Sequence, residues 1–160
     1  MLLKWDVEGA GAIQTVNNIF SRDISEMKPG TIAYGVVVSE AGKMVDDCTV
    51  FVYGPELVRI IGANPIVGDL LDRYRTNNVT ISERRDELAQ LSVQGPLSRE
   101  ILQKLTSSDI SNDALRWYHF ITDVDMAGMK VQISRIGYTG ELGYEIMLPV
   151  DSAQAFWDAL

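Results

Sequence analysis

Two stretches of the chain repeat one pattern, and this repeat limits the folds that the chain can adopt. Residues 7–25 read VEGAGAIQTVNNIFSRDIS, residues 93–111 read VQGPLSREILQKLTSSDIS, and the two align without a gap. Both begin with Val-x-Gly and end with Asp-Ile-Ser, and the apolar Val16 coincides with Leu102. Self-similarity over this length indicates a duplicated supersecondary unit.

Each copy is typical of a strand end, a tight glycine turn and a helix. Proline suits the first position of a helix, so Pro96 predicts where the helix of the second copy begins. A hairpin follows in each copy, TIAYGVVV with KMVDDCTVFVY in the first and WYHFITDV with MKVQISRIG in the second. Hairpins in place of strict strand and helix alternation favour an α+β fold with mainly antiparallel sheets over a doubly wound parallel sheet.

The charged segment SERRDE, residues 82–87, is a natural boundary between the copies. We therefore predict a first repeat unit at 1–87 and a second at 88–160, although a solvated loop within one domain explains the segment equally well. The final stretch, VDSAQAFWDAL, starts an amphipathic helix without a stop signal, and the chain opens directly on a strand. We expect a fragment of a longer protein.

Charge and composition argue against several functions. The 14 Lys and Arg residues against 22 Asp and Glu give a net charge of −8, so we expect no nucleic-acid or membrane partner. The single Cys48 excludes an internal disulfide and, with the single His119, leaves too few ligands for zinc or iron, so no metal is predicted. No apolar run approaches the roughly 20 residues of a membrane span, and because Lys4 and Asp6 interrupt the first apolar residues we expect no signal peptide. We expect a cytoplasmic protein.

The second strand of the first hairpin carries two neighbouring acids, Asp46 and Asp47. Successive side chains of a strand face opposite sides, so the two cannot act as a dyad. A turn near Ala41 makes Tyr34 a near cross-strand neighbour of Asp47, since their numbers sum to 81. A carboxylate shielded from water beside a tyrosine suits proton transfer. The simpler alternative is that both acids lie just past the turn with their heads in water, and on the opposite face from Asp47 we expect Asp46 to be structural and Cys48 to be an inert core thiol.

The segment RIGYTGELGYE, residues 135–145, has three glycines at intervals of three. It is not a dinucleotide loop, because the spacing differs from G-x-G-x-x-G and a strand follows it. The glycines predict positive φ in a tight turn that lets another ring or backbone approach closely. In the next strand Glu145 is expected on an apolar face, where a carboxylate needs donors. Either a ligand with two parallel N–H groups or the nearby Arg135 meets that need.

Three segments together resemble the folate-binding region of the aminomethyltransferase family, the T-protein of the glycine cleavage system and its relatives. They are KPGTIAYGVVVSEAGKMVDDCTVF, LAQLSVQGPLSREILQKL and ISRIGYTGELGYEIMLP, and they follow the family's order and spacing over nearly the whole chain. The resemblance implies a tetrahydrofolate-dependent one-carbon transferase. It also implies that the family's opening segment and C-terminal barrel are missing from this sequence.

The resemblance implies roles for five residues. Asp47 matches the aspartate that assists transfer near the folate N5 and N10, and Tyr34 matches a tyrosine of the folate pocket. Tyr138 matches another pocket tyrosine, and Glu145 matches the glutamate that grips the pterin edge. An aromatic residue near Tyr118 or Phe120 is also expected to face the folate. Tetrahydrofolate is then the cofactor, and the one-carbon donor is a small molecule or a lipoyl carrier protein.

Departures from the family pattern keep other functions open. The sequence departs from the common family pattern at Lys43, Cys48 and Phe51. These differences favour the demethylase branch, whose members take methyl groups from sulfur, oxygen or nitrogen. The same region also forms part of larger flavin-linked amine dehydrogenases. A folate-binding module that serves iron–sulfur assembly is a further alternative, but such relatives carry K-G-C-Y-x-G-Q-E where this chain reads RIGYTGELGYE.

Overall fold

The computed structural model describes residues 2–160, which separate into two compact units. The first unit ends at Arg85 and the second runs from Asp86 to Leu160. The division therefore falls after residue 85, where the sequence placed it after residue 87. Within the described residues, no helix has the length and apolar character that crossing a membrane requires.

The first unit is an antiparallel sheet with two helices. Its elements are β1 (Leu3–Glu8), α1 (Ala12–Asn17), β2 (Thr31–Val38), β3 (Met44–Gly54), β4 (Leu57–Gly62), α2 (Ile66–Arg73) and β5 (Thr80–Glu83). The five strands lie in the order β2-β3-β4-β1-β5, and neighbouring strands run antiparallel. Both helices pack on one face of this sheet, where Val16 and Leu71 join Val50 and Ile60 in the core.

The second unit repeats this plan with four strands. Its elements are β6 (Leu88–Gln94), α3 (Ser98–Gln103), β7 (Phe120–Met126), β8 (Met129–Ser134), β9 (Gly143–Pro149) and α4 (Ala153–Ala159). The order β7-β8-β9-β6 matches β2-β3-β4-β1 strand for strand, while β5 is an extra edge strand of the first unit. Leu102 and Phe156 of the helices pack against Ile133 and Tyr144 in a separate core. The predicted α+β fold with duplicated antiparallel units is confirmed.

The glycine turn has the same geometry in both copies. Gly9 has φ of 120° and Gly95 has φ of 116°. The Ala12 amide donates to the carbonyl of Gly9 at 2.9 Å, and the Ser98 amide donates to that of Gly95 at 3.0 Å. Because this turn closes first, α3 begins at Ser98. The prediction that Pro96 occupies the first helical position is therefore wrong, and Pro96 lies in the turn.

A side chain at the end of each helix holds the chain that follows it. The Asn17 Oδ1 accepts a hydrogen bond from the Ile24 amide at 3.0 Å. The Gln103 Oε1 accepts one from the Ile110 amide at 3.3 Å, and Asn17 and Gln103 are the last residues of α1 and α3. Both isoleucines are fully buried. The same side-chain hydrogen bond therefore positions a buried isoleucine of the core in each unit.

The Asp-Ile-Ser end of each copy forms the same local turn. The Ser25 amide donates to the Asp23 carboxylate at 2.9 Å, and the Ser111 amide donates to that of Asp109 at 2.8 Å. Hydrogen bonds from Ser25, through its side chain first and its backbone second, lower the pKa of Asp23. The backbone bond from Ser111, followed by its side chain, lowers the pKa of Asp109. The duplication thus extends to local electrostatics.

The two turn glycines form a matched pair for mutation. A Cβ at Gly9 would lie 2.0 Å from the carbonyl oxygen of Asn78, whereas a Cβ at Gly95 would have nothing within 4 Å. We expect Gly95→Ala to lower the free energy of unfolding by about 1 kcal/mol through its positive φ alone. Gly9→Ala also requires a backbone shift and is expected to cost about 3 kcal/mol or more. Urea unfolding of the two variants measures both values, and equal losses would contradict this account of the turn.

Candidate functional site

Asp46 is a structural residue of the first unit. Its Oδ2 accepts hydrogen bonds from the backbone amides of Ala63 at 2.6 Å and Asn64 at 2.9 Å. These amides lie between β4 and α2, so the carboxylate ties the hairpin to the segment that leads into the helix. A Cβ at Gly62 would lie 2.4 Å from the same oxygen, which explains the glycine there. The prediction that Asp46 binds backbone is confirmed.

Cys48 lies on the same face as Asp46 and is buried. Its Sγ donates to the Asp46 Oδ2 at 3.7 Å. Burial, followed by the charge of Asp46, raises the pKa of the Cys48 thiol well above its usual range. A thiol held protonated is a poor nucleophile, so Cys48 is the inert core residue that the sequence predicts.

Tyr34 and Asp47 meet on the opposite face of the same hairpin. The Tyr34 hydroxyl donates to the Asp47 Oδ2 at 3.0 Å. Asp47 is exposed, and Tyr34 is 46% exposed. The water-shielded carboxylate expected from an apolar strand is therefore not found, because β2 is an edge strand and leaves this end of the sheet open. Asp47 is therefore an exposed hydrogen-bond acceptor, and Tyr34 fixes the orientation of its carboxylate.

The register of the hairpin differs from the prediction. Val38 pairs with Met44, so the numbers sum to 82 at the turn, but the register shifts between Val37 and Val38. Beyond this irregularity Asp47 pairs with Val36, and the sum is 83 rather than the 81 or 82 that a turn near Ala41 predicts. Tyr34 is consequently a diagonal neighbour of Asp47, and the long tyrosine side chain spans that distance.

The second sheet has a polar face that sequence reasoning missed. Side chains alternate along each strand, and one face carries the core residues of β6, β8 and β9. The opposite face, here called the polar face, carries polar side chains from the same three strands. They are Gln90, Ser92 and Gln94 of β6, Gln132 and Ser134 of β8, and Glu145 of β9. The prediction of an apolar face around Glu145 is therefore wrong, because the neighbouring strands supply glutamine and serine.

Glu145 has a glutamine partner on this face. The Gln90 Nε2 donates to the Glu145 Oε2 at 2.6 Å. Arg135, proposed from the sequence as an alternative partner, donates instead to the carbonyl of Leu115 at 3.3 Å. The Oε1 of Gln90 is buried and has no hydrogen-bond partner among the described residues. The alternation of Gln90 with Ser92 in LAQLSVQ was the sequence signal for this face.

Gln94 holds the glycine-rich segment between β8 and β9. Its Nε2 donates to two backbone carbonyls that flank the segment, at 3.3 and 3.2 Å. A Cβ at Gly137 or Gly143 would lie 1.9 or 1.7 Å from the Gln94 Oε1. Close approach is thus confirmed, but the approaching group is a side-chain amide and not the predicted ring or backbone. Of the three glycines, positive φ is confirmed only for Gly140, at 77°.

The two remaining candidate tyrosines lie in and beside this loop. Tyr138 is 90% exposed in the loop. Tyr118 has φ of 57°, unusual for a bulky residue, and its ring centroid lies 5.1 Å from that of Trp117. The Tyr118 amide donates to the carbonyl of Arg135 at 3.1 Å. A cavity of about 330 Å³ is lined by Trp117 and Arg135 and by six loop residues that do not include Tyr138, namely Ile136, Gly137, Gly140, Glu141, Leu142 and Gly143.

The structure joins the candidate residues in separate groups. In the first unit Tyr34 is hydrogen-bonded to Asp47. In the second unit Glu145 lies on the polar face. The Tyr118 amide is hydrogen-bonded to the carbonyl of Arg135, at the start of the loop that contains Tyr138. Carboxylates, aromatic rings and amide groups in this combination can bind a flat ligand that is rich in N–H donors.

Two repeated antiparallel α+β units, each with helices on one sheet face and functional candidates beside the other, define the class of fold. Residues 1–160 match the family described as GCVT N-terminal domain. The chain therefore belongs to the aminomethyltransferase family, and the resemblance noted from its sequence is confirmed.

Curated relatives give the same family. The aminomethyltransferase of Thermoanaerobacter pseudethanolicus is 34% identical over 158 residues, which cover 96% of this chain and 42% of that protein. The aminomethyltransferase of Bacillus subtilis is 35% identical over 155 residues, with 95% and 42% covered. The chain thus spans about 42% of the length of these relatives.

Two solved structures share the fold. The glycine cleavage system aminomethyltransferase T from Bartonella henselae superposes with a TM-score of 0.81 at 21% identity, over 99% of this chain and 42% of that one. A chain of the heterotetrameric sarcosine oxidase from Corynebacterium sp. U-96 gives a TM-score of 0.71 at 16% identity, over 99% and 76%. At these identities the likeness establishes the fold.

The two aspartates of β3 are expected to respond differently to mutation. Asp46→Ala leaves two part-buried backbone amides without their acceptor and is expected to lower the free energy of unfolding by about 2 kcal/mol. Asp47→Ala removes an exposed side chain and is expected to change it by less than about 0.5 kcal/mol. Chemical unfolding measures both variants, and a larger loss for Asp47→Ala would refute the assignment of Asp46 as the structural acid.

Proposed function

We propose that the chain is the folate-binding region of a tetrahydrofolate-dependent one-carbon transferase of the glycine cleavage T-protein type. The observation that carries the proposal is the Tyr34–Asp47 hydrogen bond, which fixes an exposed carboxylate at the position that the family pattern assigns to catalysis. Membership of the aminomethyltransferase family supports the same reaction class. Asp47 is assigned to catalysis, and Glu145, Tyr34, Tyr118 and Tyr138 are assigned to folate binding.

The residues of the second unit fit the pterin ring of tetrahydrofolate. That ring presents N3–H and the 2-amino group side by side, which matches the two oxygens of a carboxylate. Glu145 supplies such a carboxylate on the polar face, and the buried Oε1 of Gln90 beside it is a further acceptor without a described donor. Exposed aromatic rings such as Tyr138 suit contact with a flat heterocycle.

The residues of the first unit fit a role in the transfer step. Tetrahydrofolate, when bound, supplies the N5 and N10 amines that accept the carbon. An ionised Asp47 can only accept hydrogen bonds, so it stabilises positive charge on a nitrogen or sulfur of the reacting groups. Its partner Tyr34 donates at 3.0 Å and fixes which oxygen faces away. A fixed carboxylate costs no reorganisation when charge develops.

The proposed donor is an aminomethyl group on a lipoyl carrier protein. Its methylene carbon would form bonds to N5 and N10 of tetrahydrofolate while its bonds to the amine and to the carrier sulfur break. The two protons displaced from N5 and N10 would leave on ammonia and on the carrier thiol. Removal of a methyl group from a sulfur, oxygen or nitrogen donor is the second candidate, and the fully buried Phe51 at a position where the family often has a folate-contacting tyrosine favours it. A cytoplasmic location stays a prediction.

Two substitutions separate catalysis from binding in the intact protein. Asp47→Asn is expected to lower turnover about 100-fold or more, because the negative charge is lost, while tetrahydrofolate binds as before. Glu145→Gln is expected to weaken tetrahydrofolate binding about tenfold or more, because charge-assisted bonds are lost. Steady-state kinetics and calorimetric titration measure the two effects.

Asp125→Asn is the matched control, because Asp125 is exposed and pairs with Lys130 at the surface at 2.8 Å. It is expected to leave turnover and affinity unchanged. Retained turnover in Asp47→Asn would remove Asp47 from catalysis, and failure of the wild-type protein to bind tetrahydrofolate would overturn the proposed function.

A further inference from the structure

The amide of Gln90 has one satisfied end and one unsatisfied end. Its Nε2 donates to the Glu145 Oε2 at 2.6 Å. Its Oε1 is buried and has no hydrogen-bond partner among residues 2–160. A buried carbonyl without a donor costs free energy, and native proteins leave few of them unpaired.

The orientation of this amide is fixed by chemistry. A carboxylate only accepts hydrogen bonds, so the nitrogen of Gln90 must face Glu145. The reversed amide would place its oxygen against the carboxylate oxygen and lose the bond. The unsatisfied atom is therefore the acceptor, and it lies within one amide group of the Glu145 contact.

The two serines that neighbour Gln90 on the polar face do not share this feature. The Ser92 Oγ accepts a hydrogen bond from the Gln94 Nε2 at 3.0 Å. The Ser134 Oγ donates to the backbone carbonyl of Glu145 at 3.1 Å. Both serines are thus engaged within the sheet, whereas the Gln90 Oε1 is a buried acceptor without a hydrogen-bond partner among the described residues.

The position of Gln90 relative to Glu145 suits a ligand edge with three donors. Ser92 is the direct cross-strand partner of Glu145, and Gln90 pairs with Met147, so Gln90 is the diagonal neighbour on the same face. A 2-amino-4-oxo pyrimidine edge carries three N–H bonds, one on N3 and two on the 2-amino group. Two of them match a carboxylate, and the third then points to one side, toward an adjacent acceptor.

We propose that Gln90 determines specificity for the 2-amino group of the pterin, with its Nε2 orienting Glu145 and its Oε1 accepting the third N–H of the ligand. This inference rests on the proposed function and names a residue that the family resemblance did not. Sites built to pair every ligand donor discriminate strongly against analogues that lack one, because a buried polar group is then left unpaired.

A binding cycle in the intact protein tests the proposal without reference to turnover. The probes are tetrahydrofolate and its 2-desamino analogue, and the proteins are the wild type and Gln90→Leu. We expect Gln90→Leu to weaken tetrahydrofolate binding about tenfold, which corresponds to about one hydrogen bond. We expect the same substitution to weaken binding of the 2-desamino analogue only about twofold, because that analogue is affected only by the lost orientation of Glu145. The affinity loss caused by removing the 2-amino group is therefore expected to be about fivefold smaller in Gln90→Leu than in the wild type.

The possible results distinguish failure of this inference from failure of the proposed function. If Gln90→Leu weakens both probes equally, Gln90 acts only through Glu145 and the acceptor role is wrong. If it weakens neither probe while Glu145→Gln loses tetrahydrofolate, this inference fails and the proposed function stands. If wild-type protein binds neither probe, the proposed function fails.

Two further variants guard against a folding defect. Gln154→Leu makes the same change at an exposed glutamine of α4 and is expected to bind both probes like the wild type. Gln90→Met keeps the length of the side chain and removes both polar ends, so it is expected to reproduce the effects of Gln90→Leu. Thermal unfolding without ligand checks that each variant folds. A binding loss in Gln90→Leu that is absent in a folded Gln90→Met would contradict the acceptor role.

Discussion

Both units depend on a backbone turn that a glycine makes possible directly after the first strand. Gly9 and Gly95 have φ of 120° and 116°, a region that a side chain rarely enters. The Gly9 amide donates to the carbonyl of Glu56 at 2.8 Å, and the Gly95 amide donates to that of Leu142 at 2.7 Å. These acceptors immediately precede the return strands β4 and β9. In each unit this glycine therefore turns the chain from the first strand toward the helix. Its amide also holds the end of the first strand beside the return strand.

As a consequence, the two faces of each sheet have different roles. The helices return to one face and form the apolar core with it. The other face is left for side chains that do not belong to that core, Asp47 with Tyr34 in the first unit and Glu145 with Gln90 in the second. Strand alternation therefore separates Asp46, which holds the fold, from Asp47, which we assign to chemistry.

The environment of Asp47 differs from that of a structural acid in the same unit. Asp6 is buried and pairs with the guanidinium of Arg59 at 2.5 Å, so its charge is compensated. Burial lowers the pKa of Arg59, but the hydrogen bond to Asp6 and nearby negative groups outweigh that effect and raise it. Asp47 is held by the neutral hydroxyl of Tyr34 and has no ion pair within the described part of the chain. A hydroxyl orients a carboxylate without cancelling its charge, which suits a group that must meet a developing cation.

Much of the fold could be predicted from the sequence, because the ungapped repeat and the strand alternation are local patterns. The register of the first hairpin could not, since the irregularity between Val37 and Val38 adds a residue that alternation alone does not reveal. The polar face could not be predicted for a different reason. The local pattern around Glu145 covers only its own strand, whereas its partner Gln90 comes from β6, which is far away in sequence and adjacent only in the sheet. The resemblance proposes the single residues, and the fold shows their hydrogen-bond partners.

The most direct measurement of the central claim follows the carbon itself. The intact protein is incubated with tetrahydrofolate and an aminomethyl-lipoyl carrier labelled at the methylene carbon, and the folate products are separated. The account predicts labelled methylene-tetrahydrofolate together with one equivalent of ammonia. Label that stays on the carrier, or that reaches folate only from a methyl donor and as methyl-tetrahydrofolate, would contradict it.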